Sequence, residues 1–359
     1  NKYGDLGSAV KELFEKKPPP KQALLVEQPL TILEVHRQLM AMADAVGPGS
    51  RQRKERILTG LLTRSTPLMA KYLVKAIGGE MRHGVREGIL EEAIAKAFAT
   101  SPELVRRAHM LSGDIAKVAR IARERGEAGL KKIGPTVFSP LRPMLAEAAD
   151  SVDDALTTHG GKTLLEYKLD GARVQIHVKN GVVRVFSRHM KDVTESLPEV
   201  VETVRKNLKA KEAILEGEVI GVSQDGKPLP FQYLMRRFRR VQDIEAVAKQ
   251  IPVKLFLFDL LYVDGESLID QPLTERRKRL EEVVGNLPII KQIAASSSDE
   301  ASKFFEEAVS EGHEGLVAKQ PTSPYTPGIR GKKWLKIKKT PETLDLVIIA
   351  AEYGHGYRH

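Results

Sequence analysis

Hydrophobic residues recur at helical spacing through the first 134 positions of the chain. Thr31-Ile-Leu-Glu34 is a capping box, in which the threonine and the glutamate satisfy free backbone amides at a helix start. Thr66-Pro67 and Ser101-Pro102 each set a capping residue before a proline, a combination that is favoured at helix starts. Strand patterns are scarce here, so the sequence predicts an all-α domain over residues 1–134.

The pattern changes near Gly134-Pro135. Residues 139–145 are expected to form a linker packed on a surface, and apolar segments of strand length follow it. The strand candidates are Leu164–Lys168, Val174–Val178, Val182–Phe186, Ala213–Val222, Val253–Val263, Leu316–Lys319 and Trp334–Lys338. Asn180-Gly181 separates two of these segments and is typical of a β-hairpin turn. Helices are predicted at Thr274–Val284, capped by Thr274, and at Asp299–Ser310, capped by Asp299. Hairpins mixed with helices predict an α+β domain with antiparallel sheets over residues 135–340.

Composition restricts the classes of protein that remain. No segment has 18 consecutive apolar residues and the start lacks a signal-peptide pattern, which favours a cytoplasmic protein, or a nuclear one in a eukaryote. The chain has no cysteine, which excludes disulfides, thiolate metal sites and a cysteine nucleophile. Residues 1–134 hold 24 Lys and Arg against 15 Asp and Glu, whereas the remainder holds 33 against 32. This basic block suggests a polyanionic partner such as nucleic acid, although a merely soluble basic helical domain would show the same balance.

The segment Glu166-Tyr-Lys168-Leu-Asp170-Gly171-Ala-Arg173 concentrates charged side chains at the end of a predicted strand. Strand alternation places Glu166 and Lys168 on one face, and Asp170-Gly171 turns the chain so that Arg173 returns beyond the turn. Such a group could be an ordinary ion-pair cluster. It could also hold a lysine nucleophile, because a nearby cation or removal from water favours the uncharged amine.

Further charged and aromatic motifs follow this segment in order. They are Phe186-Ser187-Arg188, Glu216-Gly217-Glu218, Leu257-Phe258-Asp259-Leu260, Glu314-Gly315-Leu316-Val317-Ala318-Lys319 and Trp334-Leu335-Lys336-Ile337-Lys338, with Arg330 four residues before the tryptophan. Together with Lys168-Leu-Asp170-Gly171-Ala-Arg173, they resemble the motif series of the covalent nucleotidyltransferase superfamily, which includes DNA ligases, RNA ligases and mRNA capping enzymes. Six ordered matches over residues 168–338 are not expected by chance.

The segment from Arg82 to Phe98 narrows this resemblance. It is similar to the DNA-binding domain of ATP-dependent DNA ligases of the archaeal and eukaryotic replicative type, a domain that capping enzymes and small viral ligases lack. The resemblance implies a helical DNA-binding domain at residues 1–134, shortened at its start, and an adenylation (nucleotidyltransferase) domain at residues 135–340. It also implies the beginning of a truncated OB-fold domain at residues 341–359, with a strand over residues 345–351.

The resemblance implies a role for each motif residue. Lys168 would attack the α-phosphate of ATP and become adenylylated. Glu166 would accept a hydrogen bond from the adenine amino group, and Phe258 would stack on the base. The residues implied to contact other parts of the nucleotide are Arg173, Arg188, Glu218 and Arg330, with Lys319, Lys336 and Lys338 neutralising the α-phosphate. Mg²⁺ is the implied metal, with Glu218 and Glu314 as its candidate ligands.

The implied reaction is the sealing of nicked double-stranded DNA by a monomeric enzyme, through a lysine–AMP intermediate and an adenylylated 5′-phosphate. RNA ligation or mRNA capping is the enzymatic alternative, and a non-catalytic basic DNA-binding protein is the alternative from another class. Binding to a sliding clamp is left open.

Two assignments stay open at the level of sequence. Strand alternation puts Glu216 on the same face as Glu218. The choice of Glu218 over Glu216 as the residue that contacts the nucleotide or the metal therefore rests on the resemblance. The basic run Arg236-Arg237-Phe-Arg239-Arg240 is either a solvated helix face or a contact with the phosphates of duplex DNA.

Overall fold

A computed structural model describes residues 5–18, 30–79, 81, 84–238, 250–339, 347 and 349–350. The chain divides into two compact units, Asn1–Glu87 and Gly88–His359. Of the OB-fold expected over residues 341–359, only residues 347, 349 and 350 are described, so the predicted strand at 345–351 lies almost wholly outside the described residues. In the described part of the chain, no helix combines the length and apolar character that crossing a membrane requires.

The described part of the first unit is helical, as predicted. Its helices are α1 (Leu6–Lys16), α2 (Ile32–Ala43), α3 (Ser50–Thr63) and α4 (Pro67–Ile77). The side chains of Thr31 and Thr66 each accept a hydrogen bond from a backbone amide of the first turn, at 3.1 and 3.2 Å, which confirms both predicted caps. The Lys75 ammonium lies 3.2 Å from the Asp5 carboxylate and joins the end of α4 to the start of α1.

Three helices open the second unit and contribute to its core. They are α5 (Glu87–Ala97), α6 (Pro102–Ser112) and α7 (Ile115–Lys131). Buried side chains of these helices, among them Val105 and Leu130, belong to the same apolar cluster as Leu165 of the following sheet. These helices thus belong to the second compact unit, and the boundary between the two units lies between residues 87 and 88. The functional boundary that the sequence predicts after residue 134 stays a prediction.

Two five-stranded sheets follow these helices among the described residues of the second unit. The strands are β1 (Leu145–Ala148), β2 (Thr163–Tyr167), β3 (Ala172–Lys179), β4 (Val182–Ser187), β5 (Glu212–Gly221), β6 (Val253–Val263), β7 (Glu266–Ser267), β8 (Gln292–Ala295), β9 (Gly315–Lys319) and β10 (Arg330–Lys338). The first sheet has the order β1-β10-β9-β2-β8 and the second has the order β4-β3-β5-β6-β7. All pairings are antiparallel as predicted, except that β1 runs parallel to β10.

In the part of the second unit that the structure describes, five helices pack beside these sheets, and two of them start differently from the prediction. The helices are α8 (Val152–Thr158), α9 (Pro198–Asn207), α10 (Phe231–Phe238), α11 (Leu273–Val283) and α12 (Ser298–Ser310). The predicted cap Thr274 lies inside the first turn of α11, which begins after Pro272 without a side-chain cap. The predicted cap Asp299 lies in the first turn of α12, because the Ser297 hydroxyl accepts the Glu300 amide at 3.3 Å.

Residues 139–144 pack against the second sheet as a linker, as the sequence predicts, whereas Leu145, which was expected to belong to the linker, begins β1 of the first sheet. Leu141 is 2% exposed, and its amide donates to the Gln175 side-chain oxygen at 2.7 Å. Just upstream, the Phe138 amide donates to Nδ1 of His177 at 2.8 Å, and the other ring nitrogen lies 2.9 Å from the same Gln175 oxygen. The imidazole therefore accepts on one side and donates on the other, which only its neutral form can do.

This geometry predicts that the hydrogen bonds of His177 to Phe138 and Gln175 make the stability of the fold sensitive to acid. Burial lowers the pKa of His177 to about 3. Because the unfolded chain takes up a proton near pH 6.5 and the folded chain does not, stability present above that pH is lost as the pH falls. From pH 7 to pH 5 the loss from this group should be about 2 kcal/mol.

Chemical denaturation of wild type and His177→Gln at pH 7 and pH 5 measures this loss. The wild type should lose about 2 kcal/mol more than the variant over that interval. Equal losses would show that His177 is not held neutral by its partners.

Candidate active site

Lys168 directly follows β2, and its backbone continues the pairing of that strand with β9. The Lys168 amide donates to the Gly315 carbonyl at 2.8 Å, and the Glu314 amide donates to the Lys168 carbonyl at 3.0 Å. This exchange sets the two side chains next to each other, and Lys168 Nζ donates a hydrogen bond to Glu314 Oε2. Lys338 Nζ, from β10, lies 3.0 Å from the same oxygen. One carboxylate therefore holds two ammonium groups.

Two motif glycines allow the close approach of strands around Lys168. A Cβ on Gly171 would lie 2.5 Å from the Val219 carbonyl oxygen, and a Cβ on Gly315 would lie 2.2 Å from the Ile337 carbonyl oxygen. Gly315 also has a φ of +136°, a conformation that side-chain-bearing residues rarely adopt. Strand packing therefore requires glycine at both positions.

Three carboxyl groups are within electrostatic reach of Lys168, and burial acts on each. Burial raises the pKa of Asp170, whose side chain accepts the Phe231 amide at 3.1 Å. Burial also opposes ionisation of Glu314, but the hydrogen bonds from Lys168 and Lys338 outweigh it and lower the Glu314 pKa. For Glu218, burial raises the pKa to about 7 against the opposing charge of Arg173. An additional cation near Glu218 would favour its ionised form.

A second group of side chains lies around Glu166. The carboxylate is 2% exposed and has a partner on each oxygen: Gln292 Nε2 donates to Oε1 at 2.7 Å, and Lys319 Nζ lies 2.5 Å from Oε2. The Lys319 ammonium also lies 4.5 Å from the ring centroid of Phe258 and 4.3 Å from that of Trp334. Burial lowers the pKa of Lys319. The family resemblance groups Lys319 with Lys336 and Lys338 at the α-phosphate, whereas the Lys319 ammonium contacts Glu166 and two aromatic rings.

The Arg173 guanidinium is held by a backbone carbonyl, a carboxylate and two aromatic rings. One guanidinium nitrogen donates to the Met144 carbonyl at 2.6 Å, and the other donates to Glu216. The guanidinium carbon lies 5.3 Å from the ring centroid of Phe258 and 5.5 Å from that of Trp334. This pairing leaves Glu216 1% exposed and outside the cavity lining, whereas Glu218 lines the cavity. The structure thus distinguishes two glutamates that strand alternation alone could not separate.

These groups line one cavity of about 670 Å³ between the two sheets. Arg330 lines it as well and donates to the Ala146 carbonyl at 2.7 Å. All eleven residues that the sequence analysis assigned to the site are in its lining: Glu166, Lys168, Arg173, Arg188, Glu218, Phe258, Glu314, Lys319, Arg330, Lys336 and Lys338. Their individual roles remain predictions. Gln292 and Trp334 were not assigned a role from the sequence, and Gln292 carries no motif that could have identified it.

The acidic residues fit a metal ion that arrives with a substrate. Within the described ranges, no three His, Asp or Glu side chains form a ready-made metal site. Two carboxyl groups, Glu218 and Glu314, nevertheless line the same cavity. Mg²⁺ ordinarily keeps several waters and binds through one or two carboxylates together with substrate phosphates. The residues present therefore suit Mg²⁺ bound jointly with a nucleotide.

The basic run at residues 236–240 needs a correction for Arg237. Its side chain is 1% exposed and forms a two-pronged ion pair with Glu199 of α9. It also donates to the Ile251 carbonyl at 3.1 Å and to the Ser196 carbonyl at 3.0 Å. Arg237 is therefore neither on a solvated face nor available to DNA phosphates, whereas Arg236 is exposed. Arg239 and Arg240 lie outside the described residues.

Comparisons with known proteins agree with this arrangement. A family profile described as "ATP dependent DNA ligase domain" matches residues 143–338, and one described as "DNA ligase N terminus" matches residues 1–95. The DNA ligase of Thermococcus fumicolans is 49% identical over 99% of this chain and 64% of its own length. The DNA ligase of Archaeoglobus fulgidus is 45% identical over 99% of this chain and 63% of its own length. The chain thus spans slightly less than two thirds of these curated relatives.

A solved structure described as "Pmar-Lig_Pre." is similar in fold. It aligns with a TM-score of 0.53 and 17% sequence identity, covering 93% of this chain and 74% of that chain. At this identity the similarity supports the fold alone.

The burial of Arg237 gives a prediction for stability. Arg237→Ala should lower the free energy of unfolding by about 3 kcal/mol, because Glu199 and two carbonyls lose their donor. Arg236→Ala, on the exposed face of the same helix, should change it by less than about 0.5 kcal/mol. Urea denaturation of the two variants measures the contrast, and similar small changes would place Arg237 at the surface.

Proposed function

The chain belongs to the family of ATP-dependent DNA ligases, and we propose from this that the protein seals nicks in duplex DNA through a covalent AMP on Lys168. The observation that carries the proposal is the convergence of eleven motif side chains on one cavity of about 670 Å³. A cavity of this size suits a nucleotide, since ligand pockets commonly measure about 300–1,000 Å³.

In the first step, Lys168 Nζ would attack the α-phosphorus of ATP. A nitrogen–phosphorus bond forms, the bond from the α-phosphorus to the bridging oxygen of the β-phosphate breaks, and pyrophosphate leaves with that oxygen. The Lys168 ammonium would lose two protons to water in this step, one before the attack and one after it, which leaves a neutral nitrogen bonded to phosphorus. Because hydrogen bonds lower the pKa of Glu314, its carboxylate is a weak proton acceptor, which supports a role in holding the lysine side chain rather than in general base catalysis.

In the second step, an oxygen of the 5′-phosphate at the nick would attack the same phosphorus. The nitrogen–phosphorus bond breaks and the lysine nitrogen takes up two protons from water, matching the two lost in the first step, which leaves AMP on the 5′-phosphate. In the third step, the 3′-hydroxyl oxygen would attack the 5′-phosphorus and release AMP. Lysine as a temporary carrier divides one difficult transfer into smaller ones.

The two groups of side chains suggest how the nucleotide would lie. The base would lie near Glu166 and Phe258, where an acceptor and an aromatic ring are buried together. The phosphates would lie near Lys168 and Lys338, where cations can stabilise charge that develops on oxygen. Glu218 and Glu314 would hold Mg²⁺, which would neutralise phosphate charge.

The excess of basic over acidic residues in the N-terminal part of the chain supports duplex DNA as the partner. Residues 1–134 carry 24 basic against 15 acidic side chains, and such a surface binds phosphate backbones without sequence preference. The match of residues 1–95 to a DNA ligase N terminus supports a DNA ligase over an RNA ligase or a capping enzyme. It also weighs against a non-catalytic DNA-binding protein, since the catalytic motifs occur in the same chain.

Formation of a covalent nucleotide is the first test. The full-length protein incubated with α-labelled ATP and Mg²⁺ should acquire acid-labile label, and Lys168→Ala should lower this labelling by about a thousandfold or more. Lys162→Ala is a matched control, because Lys162 is exposed and outside the cavity lining. Labelling with GTP in place of ATP would favour the capping alternative, and equal labelling of wild type and Lys168→Ala would refute the proposal.

The third step gives a separate prediction for Lys168. The Lys168→Ala protein should still join a nicked duplex that already carries AMP on its 5′-phosphate, because the lysine has no bond to form or break in that step. Joining of the ordinary nick in the presence of ATP should be lost. Gel separation of substrate and product measures both reactions, and failure of both would mean that the substitution disrupts more than AMP transfer.

A further inference from the structure

We propose that Gln292 is a positioning residue that makes the cavity prefer adenine over guanine, by holding the Glu166 carboxylate in place as an acceptor. The inference rests on the proposed function. Gln292 begins the edge strand β8 and lies directly opposite Glu166 of β2 in the antiparallel register. Its side-chain nitrogen donates to Glu166 Oε1 at 2.7 Å.

The carboxylate of Glu166 has an unusual environment for a charged group. It is 2% exposed and borders a cavity whose lining includes the rings of Phe258 and Trp334. A buried carboxylate needs hydrogen-bond donors in place of water. Gln292 supplies a neutral donor from outside the cavity. Lys319 supplies a positive charge 2.5 Å from Oε2. The Gln292 donor fixes the carboxylate from the side away from the cavity.

The two groups beside the cavity form a pattern that distinguishes purines. Glu166 accepts hydrogen bonds, and Lys319 can only donate them. Adenine carries an amino donor next to a ring-nitrogen acceptor on its Watson–Crick edge, which complements this pair. Guanine carries a carbonyl acceptor next to a ring N–H donor, so both positions would be mismatched. Sites that hydrogen-bond a substrate discriminate strongly against analogues that leave their polar groups unpaired.

Gln292 matters because its hydrogen bond ties Oε1 of Glu166 to the edge strand β8. With Gln292 in place, its hydrogen bond to Oε1 and the charge of Lys319 beside Oε2 hold the carboxylate between β8 and β9. Without Gln292, the carboxylate can turn toward Lys319 alone and withdraw from the base. The amino group of adenine would then lose its acceptor, and the carbonyl of guanine would lose the opposing charge.

The test compares covalent labelling of the full-length protein by α-labelled ATP and α-labelled GTP in separate reactions with Mg²⁺. Gln292→Leu should lower the ratio of kcat/KM for ATP to that for GTP by about tenfold or more. The change should come from a higher KM for ATP, with kcat for ATP within about threefold of wild type. Gln271→Leu is the matched control, because Gln271 is exposed and lies outside the cavity lining.

A second variant tests whether donation is the property that matters. Gln292→Lys keeps a donor of similar reach, so its ATP-to-GTP ratio should stay within about threefold of wild type. Loss of discrimination in both variants would overturn the inference, since donation would then be irrelevant. If Gln292→Leu folds poorly, Gln292→Val provides the same comparison, because valine also lacks a side-chain donor and is suited to strands.

The outcomes separate this inference from the function on which it rests. A wild-type protein that forms no covalent nucleotide with ATP or GTP would refute the proposed function. A wild-type protein that prefers ATP, together with a Gln292→Leu variant that keeps the preference, would refute only the role of Gln292. A purely structural role for Gln292 predicts lower thermal stability with an unchanged ratio, which also counts against the inference.

Discussion

Two backbone hydrogen bonds between the end of β2 and the start of β9 hold the candidate site together. They join Lys168 to Glu314 and Gly315, residues that lie far apart along the chain. A shift of one residue in this pairing would move every side chain to the other face of the sheet, so the register decides whether the amine faces the cavity at all. Gly315 makes the register available, because any side chain there would collide with the neighbouring strand. The positions of Lys168 and Glu314 relative to each other follow from this constraint.

The two ends of the cavity differ in the charged groups that line them. Around Glu166, one buried carboxylate and one buried ammonium lie beside two aromatic rings. Around Lys168, several acids and bases share hydrogen bonds, and Glu314 balances two cations. A nucleotide has the same division, with a flat polar base at one end and concentrated negative charge at the other. This correspondence supports one orientation of the nucleotide over its reverse.

Arg237 and Gln292 show where sequence patterns stop being informative. Four arginines within five positions suggested a surface, yet Arg237 turns inward to an acid on another helix. Gln292 stands in a short edge strand without a motif, and it contacts Glu166 only because β8 pairs with β2. The start of α12 differs from the prediction on a smaller scale, since Ser297 caps the helix two residues before Asp299, the residue expected to do so. In each case a partner decided the outcome, and local composition contained no information about that partner.

The sequence by itself determined the helical first part, the hairpin at Asn180-Gly181, the antiparallel sheets and the set of charged residues around Lys168. These features depend on local preferences and on motif spacing, which are visible within short stretches of chain. Only the tertiary structure decided which glutamate faces the cavity, which arginine is buried, and that Lys319 lies beside Glu166. These outcomes depend on strand register and on pairing between distant segments, and the energy of such contacts appears only when the segments meet.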